Sequence, residues 1–148
     1  MKINILHVLL AEDDEDDRFF FKDAFTQIAI EAEITIVSDG VELMNYLKDN
    51  ASNLPDIVFL DLNMPQKSGM ECLAEIKNMP HLKLLPVVIL STSSAVKDIE
   101  KSFLLGANMY VKKPHLFNEL KIILANVTIT NWQVHANERT RDNFVFAS

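Results

Sequence analysis

The chain has 148 residues, of which 49% are hydrophobic and 24% charged, and its formal net charge is -7. This length and composition predict one soluble globular domain with its own core. The acidic balance argues against a nucleic-acid-binding domain, which carries a basic face. A single cysteine, Cys72, excludes an internal disulfide, and no apolar run is long enough to span a membrane, so we expect a cytoplasmic protein.

The first predicted unit is a strand followed by a helix. Residues 8–11 form a short apolar run that ends at the acids Glu12 and Asp13. Residues 15–30 then have helical spacing, which predicts a broad apolar face made by Phe19, Phe20, Ala24, Phe25 and Ile28. We interpret the acids at 14–17 mainly as negative charge placed at the start of this helix, where the helix dipole favours it.

Four more units of the same kind follow. Strands are predicted at residues 33–37, 57–60, 86–90 and 109–111, where short apolar or β-branched runs occur. Helices are predicted after each of them, the third beginning after Gly69 and the fourth running from a hydroxyl N-cap in residues 91–94 to Gly106. Strict alternation predicts an α/β fold with a five-stranded parallel sheet and helices on both faces.

The predicted organisation is one domain at residues 5–128 and a C-terminal tail at residues 129–148. The tail loses the helical periodicity but contains Trp132 and, close to its end, an apolar triplet at residues 144–146. The sequence leaves open whether this tail packs on the domain or contacts a partner. No linker to a second domain is visible.

Polar side chains follow four of the five predicted strands: Glu12 and Asp13, Asp61, Ser91, and Lys113. The carboxyl ends of parallel strands lie at one edge of a sheet. The doubly wound strand order 2-1-3-4-5 would make these four strands neighbours, with a crevice between the first and the third. For Asp61 alone, a role in a turn or a helix cap remains the alternative.

This set of side chains suits one kind of chemistry. Clustered carboxylates repel one another and call for a cation, and an all-oxygen site that also receives a phosphate suits Mg²⁺. A carboxylate can attack phosphorus to form an acyl phosphate. Charge on the phosphoryl oxygens would then be stabilised by the metal, by Lys113 and by the hydroxyl of Ser91.

The sequence resembles the receiver domain of two-component response regulators, including the stand-alone chemotaxis regulators. The resemblance covers roughly residues 5–128. It is carried by five motifs in the order of the family, at residues 9–14, 60–65 with Gly69, 86–92, 105–107 and 110–114. The tail is similar in length to those of small receivers paired with phytochrome-type kinases.

The resemblance implies a phosphorylation site. Asp61 would be the phosphoacceptor and a Mg²⁺ ligand, and Asp13 would bind Mg²⁺ directly. Glu12 would act on the metal through a water molecule, and Asn63 would offer its backbone carbonyl.

The resemblance also implies a switch. Lys113 would pair with the phosphoryl group, and a cis peptide bond usually precedes the following proline in this family. Ser91, where Thr is commoner, would move to bind the phosphoryl group, and Tyr110 would rotate inward with it. His115 stands where the family often has Phe, which departs from its usual loop packing.

The function expected from this resemblance is signalling rather than enzymatic turnover. The domain would take a phosphoryl group from a sensor histidine kinase or a histidine phosphotransfer protein. A downstream protein would read the change at the fourth helix, fifth strand and fifth helix. Direct DNA binding and membrane contact are not expected, and a homodimer is left open.

Two alternatives compete with this hypothesis. A receiver-fold binding module that works without phosphorylation is disfavoured by the intact set of acids. A phosphatase with an aspartyl-phosphate intermediate is disfavoured because Asn63 stands where such enzymes carry a second acid.

Overall fold

A computed structural model describes residues 5–146 of the chain. The strands are β1 (Leu6–Ala11), β2 (Ala32–Val37), β3 (Ile57–Leu60), β4 (Val87–Ser91) and β5 (Met109–Lys112). The helices are α1 (Glu15–Thr26), α2 (Gly40–Asp49), α3 (Gly69–Asn78), α4 (Val96–Leu105), α5 (Phe117–Thr128), α6 (Trp132–Asn137) and α7 (Arg141–Phe144).

The five strands form one parallel sheet in the order β2-β1-β3-β4-β5, which confirms the predicted topology. The register aligns the strand ends: Ala11 pairs with Leu60, Leu60 with Ile89, and Ser91 with Lys112. The residues that follow β1, β3 and β5 therefore lie beside the end of β4 at one edge of the sheet. This edge is where ligands bind in open α/β folds.

The sheet is covered on both faces, which explains why its central strands read as continuous apolar runs. On one face, α2, α3 and α4 pack over inward side chains such as Leu9, Val58 and Ile89. On the other face, α1 and α5 pack over Val8, Phe59 and neighbouring residues. Alternate residues of each strand enter different cores, as the two-residue period of a strand requires.

Helix α1 differs from its prediction in length and in one buried position. It ends at Thr26, and Phe19 is 73% exposed while Phe21 is buried. A helix turns by 100° per residue, so the face that holds Ala24 and Phe25 also holds Phe21 and points away from Phe19. The prediction that Phe19 faces the core is therefore wrong.

Helix α4 begins later than predicted and lacks the expected hydroxyl cap. Its N-cap residue is Ala95, which makes no side-chain capping bond. The hydroxyl of Ser93 instead donates to Asp98 Oδ2 at 2.6 Å. The predicted C-terminal end is confirmed, because Gly106 adopts a left-handed conformation with φ of 102°, which glycine tolerates best.

The described part of the tail is ordered against the domain. Two short helices, α6 and α7, follow α5, and Val145 forms a parallel bridge with Tyr110 at the outer edge of β5. Phe144 is completely buried. Within residues 5–146, none of the helices has both the length and the apolar character that crossing a membrane demands.

Candidate functional site

Asp61 immediately follows β3 at the crevice between β1 and β3. Its backbone N–H donates to Ala11 O at 3.1 Å, which continues the β1–β3 ladder to the acid itself. The chain then turns so tightly that Gly69 N donates to Leu62 O at 3.0 Å. A Cβ atom on Gly69 would lie only 2.0 Å from Asp61 O, so this position requires glycine. Asp61 is 7% exposed.

Three carboxylates meet at this edge. Glu12, Asp13 and Asp61 each offer an oxygen atom, and these atoms lie within 4.8 Å of one another. Glu12 is buried and Asp13 is exposed, so the cluster opens to solvent on the Asp13 side. Oxygen ligands of this charge and number fit a hard divalent cation that retains part of its water shell.

Glu12 is the carboxyl group most affected by its surroundings. Burial first, and the neighbouring Asp61 second, raise the pKa of Glu12 to about 8 against the opposing effect of Lys113. A second buried negative charge beside Asp61 is therefore unfavourable without a cation. Carboxyl groups that disfavour each other's charged forms in this way are expected among the ligands of a cation site.

Lys113 reaches into the cluster from the end of β5. Its ammonium lies 2.5 Å from Glu12 Oε1, 2.9 Å from Asp17 Oδ2 and 3.4 Å from Asp61 Oδ2. Burial alone would lower the pKa of Lys113, but the bonds to Asp17 and Glu12 and the charge of Asp61 raise it above its usual value. Lys113 is therefore a fixed cation next to the carboxylate of Asp61.

Ser91 and Tyr110 lie on neighbouring strands at the same edge. Ser91 is fully buried, and its Oγ accepts from Ser93 N at 3.1 Å. Tyr110 is also fully buried, and its hydroxyl donates to Ser93 O at 2.7 Å. The tyrosine is thus connected to the loop that follows Ser91 through one backbone carbonyl.

The remaining predicted residues flank Asp61 and Lys113. Asn63 is exposed, and its backbone N–H donates to Asp61 Oδ1 at 3.3 Å, so the loop wraps around the carboxylate. The peptide bond before Pro114 is trans, unlike the bond that the family resemblance implies.

Asp17 is the site residue that sequence reasoning missed. We interpreted it as helix-terminal charge, yet it contacts the Lys113 ammonium. Asp17 precedes Phe20 and Phe21 by three and four residues, so it lies one turn before the buried stripe of α1. This spacing is the sequence feature that could have identified Asp17 as a residue facing the site. Asp14 lies at the start of α1 as predicted, and its side chain also caps the helix by accepting from Asp17 N.

The sheet order and the acids, lysine and hydroxyl at its carboxyl edge define a receiver-type signalling domain. Residues 8–125 match the model of the response regulator receiver domain family. The chain belongs to this family, whose members act in two-component signalling.

Several relatives support this assignment over most of the chain. Response regulator Rcp1 from Synechocystis sp. is 37% identical over 117 residues, which is 76% of this chain and 80% of Rcp1. The crystal structure of the phosphorylated cyanobacterial phytochrome response regulator RcpA is 38% identical, with a TM-score of 0.76 over 84% of this chain and 91% of RcpA. The crystal structure of the Mn²⁺-bound form of Rcp1 has 34% sequence identity to this chain, with a TM-score of 0.75 over 82% of this chain and 91% of Rcp1.

Proposed function

We propose that this receiver accepts a phosphoryl group from a phosphohistidine onto Asp61 and thereby switches a protein-binding face. The observation that carries the proposal is the buried carboxylate of Asp61, held between two further acids and the ammonium of Lys113. A nucleophile, a cation site and a fixed positive charge are the three parts that phosphoryl transfer to a carboxylate needs.

The proposed step is one displacement at phosphorus. A carboxylate oxygen of Asp61 forms the new O–P bond as the N–P bond to the donor histidine breaks. The electron pair of that bond returns to the imidazole, which takes up a proton from solvent. Lys113 neutralises developing charge on a phosphoryl oxygen, and the Ser91 hydroxyl donates to another.

The residues around Asp61 fit Mg²⁺. Asp13, Asp61 and the backbone carbonyl of Asn63 would hold the ion directly, and Glu12 would act through a water molecule. The structure of Rcp1 with Mn²⁺ shows that a relative with this fold takes a divalent cation. When bound, such an ion neutralises charge on the phosphoryl oxygens and on the acids themselves.

The proposed output is a protein contact. Ser91 and Tyr110 would be the switch residues, and α4, β5 and α5 would form the face that a downstream protein reads. We assign the receiver to residues 5–128 and the tail to residues 129–148. We propose that the exchange takes place in the cytoplasm and involves no direct contact with DNA or with a membrane.

The proposed donor is a histidine kinase of the phytochrome type or a histidine phosphotransfer protein. Two relatives support this donor class. RcpA is described as a phytochrome response regulator, and RtBRR, described as a bacteriophytochrome response regulator, is 31% identical with a TM-score of 0.72 over 86% of this chain and 80% of RtBRR.

The test is labelling with a small phosphodonor in the presence of Mg²⁺, followed by intact-protein mass spectrometry. We expect one phosphoryl group on the wild-type chain, removable by hydroxylamine as an acyl phosphate is. Asp61→Asn should abolish it. Asp56→Asn is the matched control, because Asp56 lies at the other end of β3 and accepts from His7 N. Unchanged labelling of Asp61→Asn would overturn the proposal.

A further inference from the structure

The outer edge of β5 is covered by the chain's own C-terminal segment. Phe146 N donates to Tyr110 O at 2.9 Å, and Val145 forms the parallel bridge with Tyr110. An exposed strand edge offers unpaired backbone groups to any extended segment. In this chain the tail pairs with the edge of β5 at Tyr110, which is one of the proposed switch residues.

Arginine side chains fix this segment to α4. Arg139 Nε donates to Ala107 O at 2.8 Å, and Arg139 Nη2 donates to Phe103 O. The guanidinium lies 3.9 Å from the centre of the Phe103 ring. Arg141 pairs with Glu100 on the exposed side of α4. The segment therefore holds the C-terminal half of α4 by carbonyl, aromatic and charge contacts at once.

Phe144 joins these contacts to Tyr110. The Phe144 ring is fully buried, with its centre 5.2 Å from that of Phe103 and 6.2 Å from that of Tyr110. On its other side, Tyr110 donates its hydroxyl to Ser93 O. Tyr110 is thus held from inside by the β4–α4 loop and from outside by the tail, so its ring has no room to rotate outward while Phe144 is in place.

We propose that residues 139–146, the tail clamp, hold Tyr110 in its inward position and couple tail docking to the phosphoryl site. The coupling part of this inference rests on the proposed function of Asp61. The tail clamp and the phosphoryl group stabilise the same position of Tyr110. Docking of the tail therefore favours binding of the phosphoryl group, and the phosphoryl group favours docking of the tail by the same factor. A protein that reads the edge of β5 must first displace the tail.

The position of Tyr110 can be measured directly, because the chain has two tyrosines. Incorporation of 3-fluorotyrosine gives two fluorine resonances, and Tyr46→Phe assigns them. We expect the Tyr110 resonance of the wild type to be protected from a soluble paramagnetic quencher. In Phe144→Ala, it should become accessible and shift. Val134→Ala is the control, since Val134 is an exposed residue of α6.

The coupling is measured by titration with beryllofluoride and Mg²⁺, a mimic of the phosphoryl group. We expect Phe144→Ala to weaken beryllofluoride binding about tenfold, a middle value for coupled sites. Reciprocally, beryllofluoride should slow hydrogen exchange at the Phe146 amide of the wild type by about the same factor. A Tyr110 resonance that is equally protected in Phe144→Ala and wild type would refute the clamp.

A surface charge exchange tests the clamp without opening the core. Glu100→Arg and Arg141→Glu each break the pair and should make Tyr110 more accessible, whereas the double variant should restore protection. Both side chains are partly exposed, so the single changes should leave the domain folded. Failure of the double variant to recover would show that this pair does not anchor the tail.

The two proposals fail separately. The effect of Phe144→Ala on Tyr110 is measured without beryllofluoride, so it tests the clamp whatever Asp61 does. A wild-type protein that binds no beryllofluoride would overturn the coupling and the phosphoacceptor role together. It would leave the clamp on Tyr110 intact.

Discussion

At the scale of single residues, Lys77 shows what burial does to a charge that lacks a carboxylate partner within the described chain. Its ammonium donates to Leu85 O at 2.7 Å, Asn108 Oδ1 at 3.0 Å and Lys83 O at 3.2 Å. These oxygens satisfy its three hydrogens but supply no full negative charge. Burial, with Arg139 nearby, therefore lowers the pKa of Lys77 to about 8.

This shift predicts a rise in stability at alkaline pH. Between the folded pKa of about 8 and the ordinary value of 10.5, the unfolded chain binds a proton that the folded chain does not. The free energy of unfolding contributed by Lys77 therefore increases with pH, by at most about 1.4 kcal/mol per pH unit. Lys77→Met removes this contribution and leaves the other titrating groups in place.

Urea denaturation of wild type and Lys77→Met at several pH values across this range measures the difference between their free energies of unfolding. The variant should be less stable throughout, because three oxygens lose a donor. The gap between the two proteins should widen as the pH rises. A gap that stays constant with pH would contradict the lowered pKa.

The site residues differ in how far their roles could be inferred from sequence. Asp61, Ser91 and Lys113 were predictable as neighbours, because parallel strands bring their carboxyl ends to one edge whatever the details of packing. Asp17 was not identified, because its contact with Lys113 depends on the rotation of α1 about its axis. The same rotation decides that Phe21, and not Phe19, enters the core.

At the scale of elements, the site depends on how closely α3 starts behind β3. Ser68 caps α3 by accepting from Glu71 N, and Gly69 brings the first turn against the backbone of Asp61 and Leu62. A Cβ atom at this position would meet backbone rather than a flexible side chain. Helix α3 can therefore accept a larger residue there only by moving the loop that carries Asp61.

We predict that Gly69→Ala lowers both stability and phosphorylation. The overpacking should cost about 1–3 kcal/mol, and the displaced loop should reduce labelling of Asp61 even where the protein is folded. Gly106→Ala is the matched control. An alanine would be strained at the φ of 102° that Gly106 adopts, but Gly106 lies at the C-terminal end of α4 and not in the loop that carries Asp61. It should lose stability and keep labelling at low temperature. Equal loss of labelling in both would point to unfolding alone.

Most of the elements could be predicted, and the exceptions have a common cause. Strands and helices with a buried face repeat apolar residues at a regular period, which sequence reveals. Helices α6 and α7 have six and four residues, too few to establish a period. They are held by local capping, as by Thr140 and Asn143, and by tertiary contacts of Arg139 and Phe144. Such contacts are visible only once the fold exists.

At the scale of the whole molecule, the acidic site is a source of instability that a cation would relieve. The chain already carries a formal net charge of -7, and three carboxyl groups, those of Glu12, Asp13 and Asp61, lie together at one edge. Lys113 offsets part of this repulsion through its contacts with Glu12 and Asp61. The stability of the whole domain should therefore depend on what occupies this edge.

We predict that Mg²⁺ raises the melting temperature of the wild type and not that of Asp13→Asn. A ligand that binds only the folded state at 100 times its Kd adds about 2.7 kcal/mol to the free energy of unfolding. In Mg²⁺-free buffer, Asp13→Asn should be more stable than wild type, because the charge of Asp13 no longer lies close to the carboxylate of Asp61. Glu33→Gln makes the same change in net charge at an exposed position of β2 and should respond to Mg²⁺ as the wild type does. Calorimetry with and without Mg²⁺ compares the three proteins, and an equal Mg²⁺ response in Asp13→Asn would show that the ion binds elsewhere.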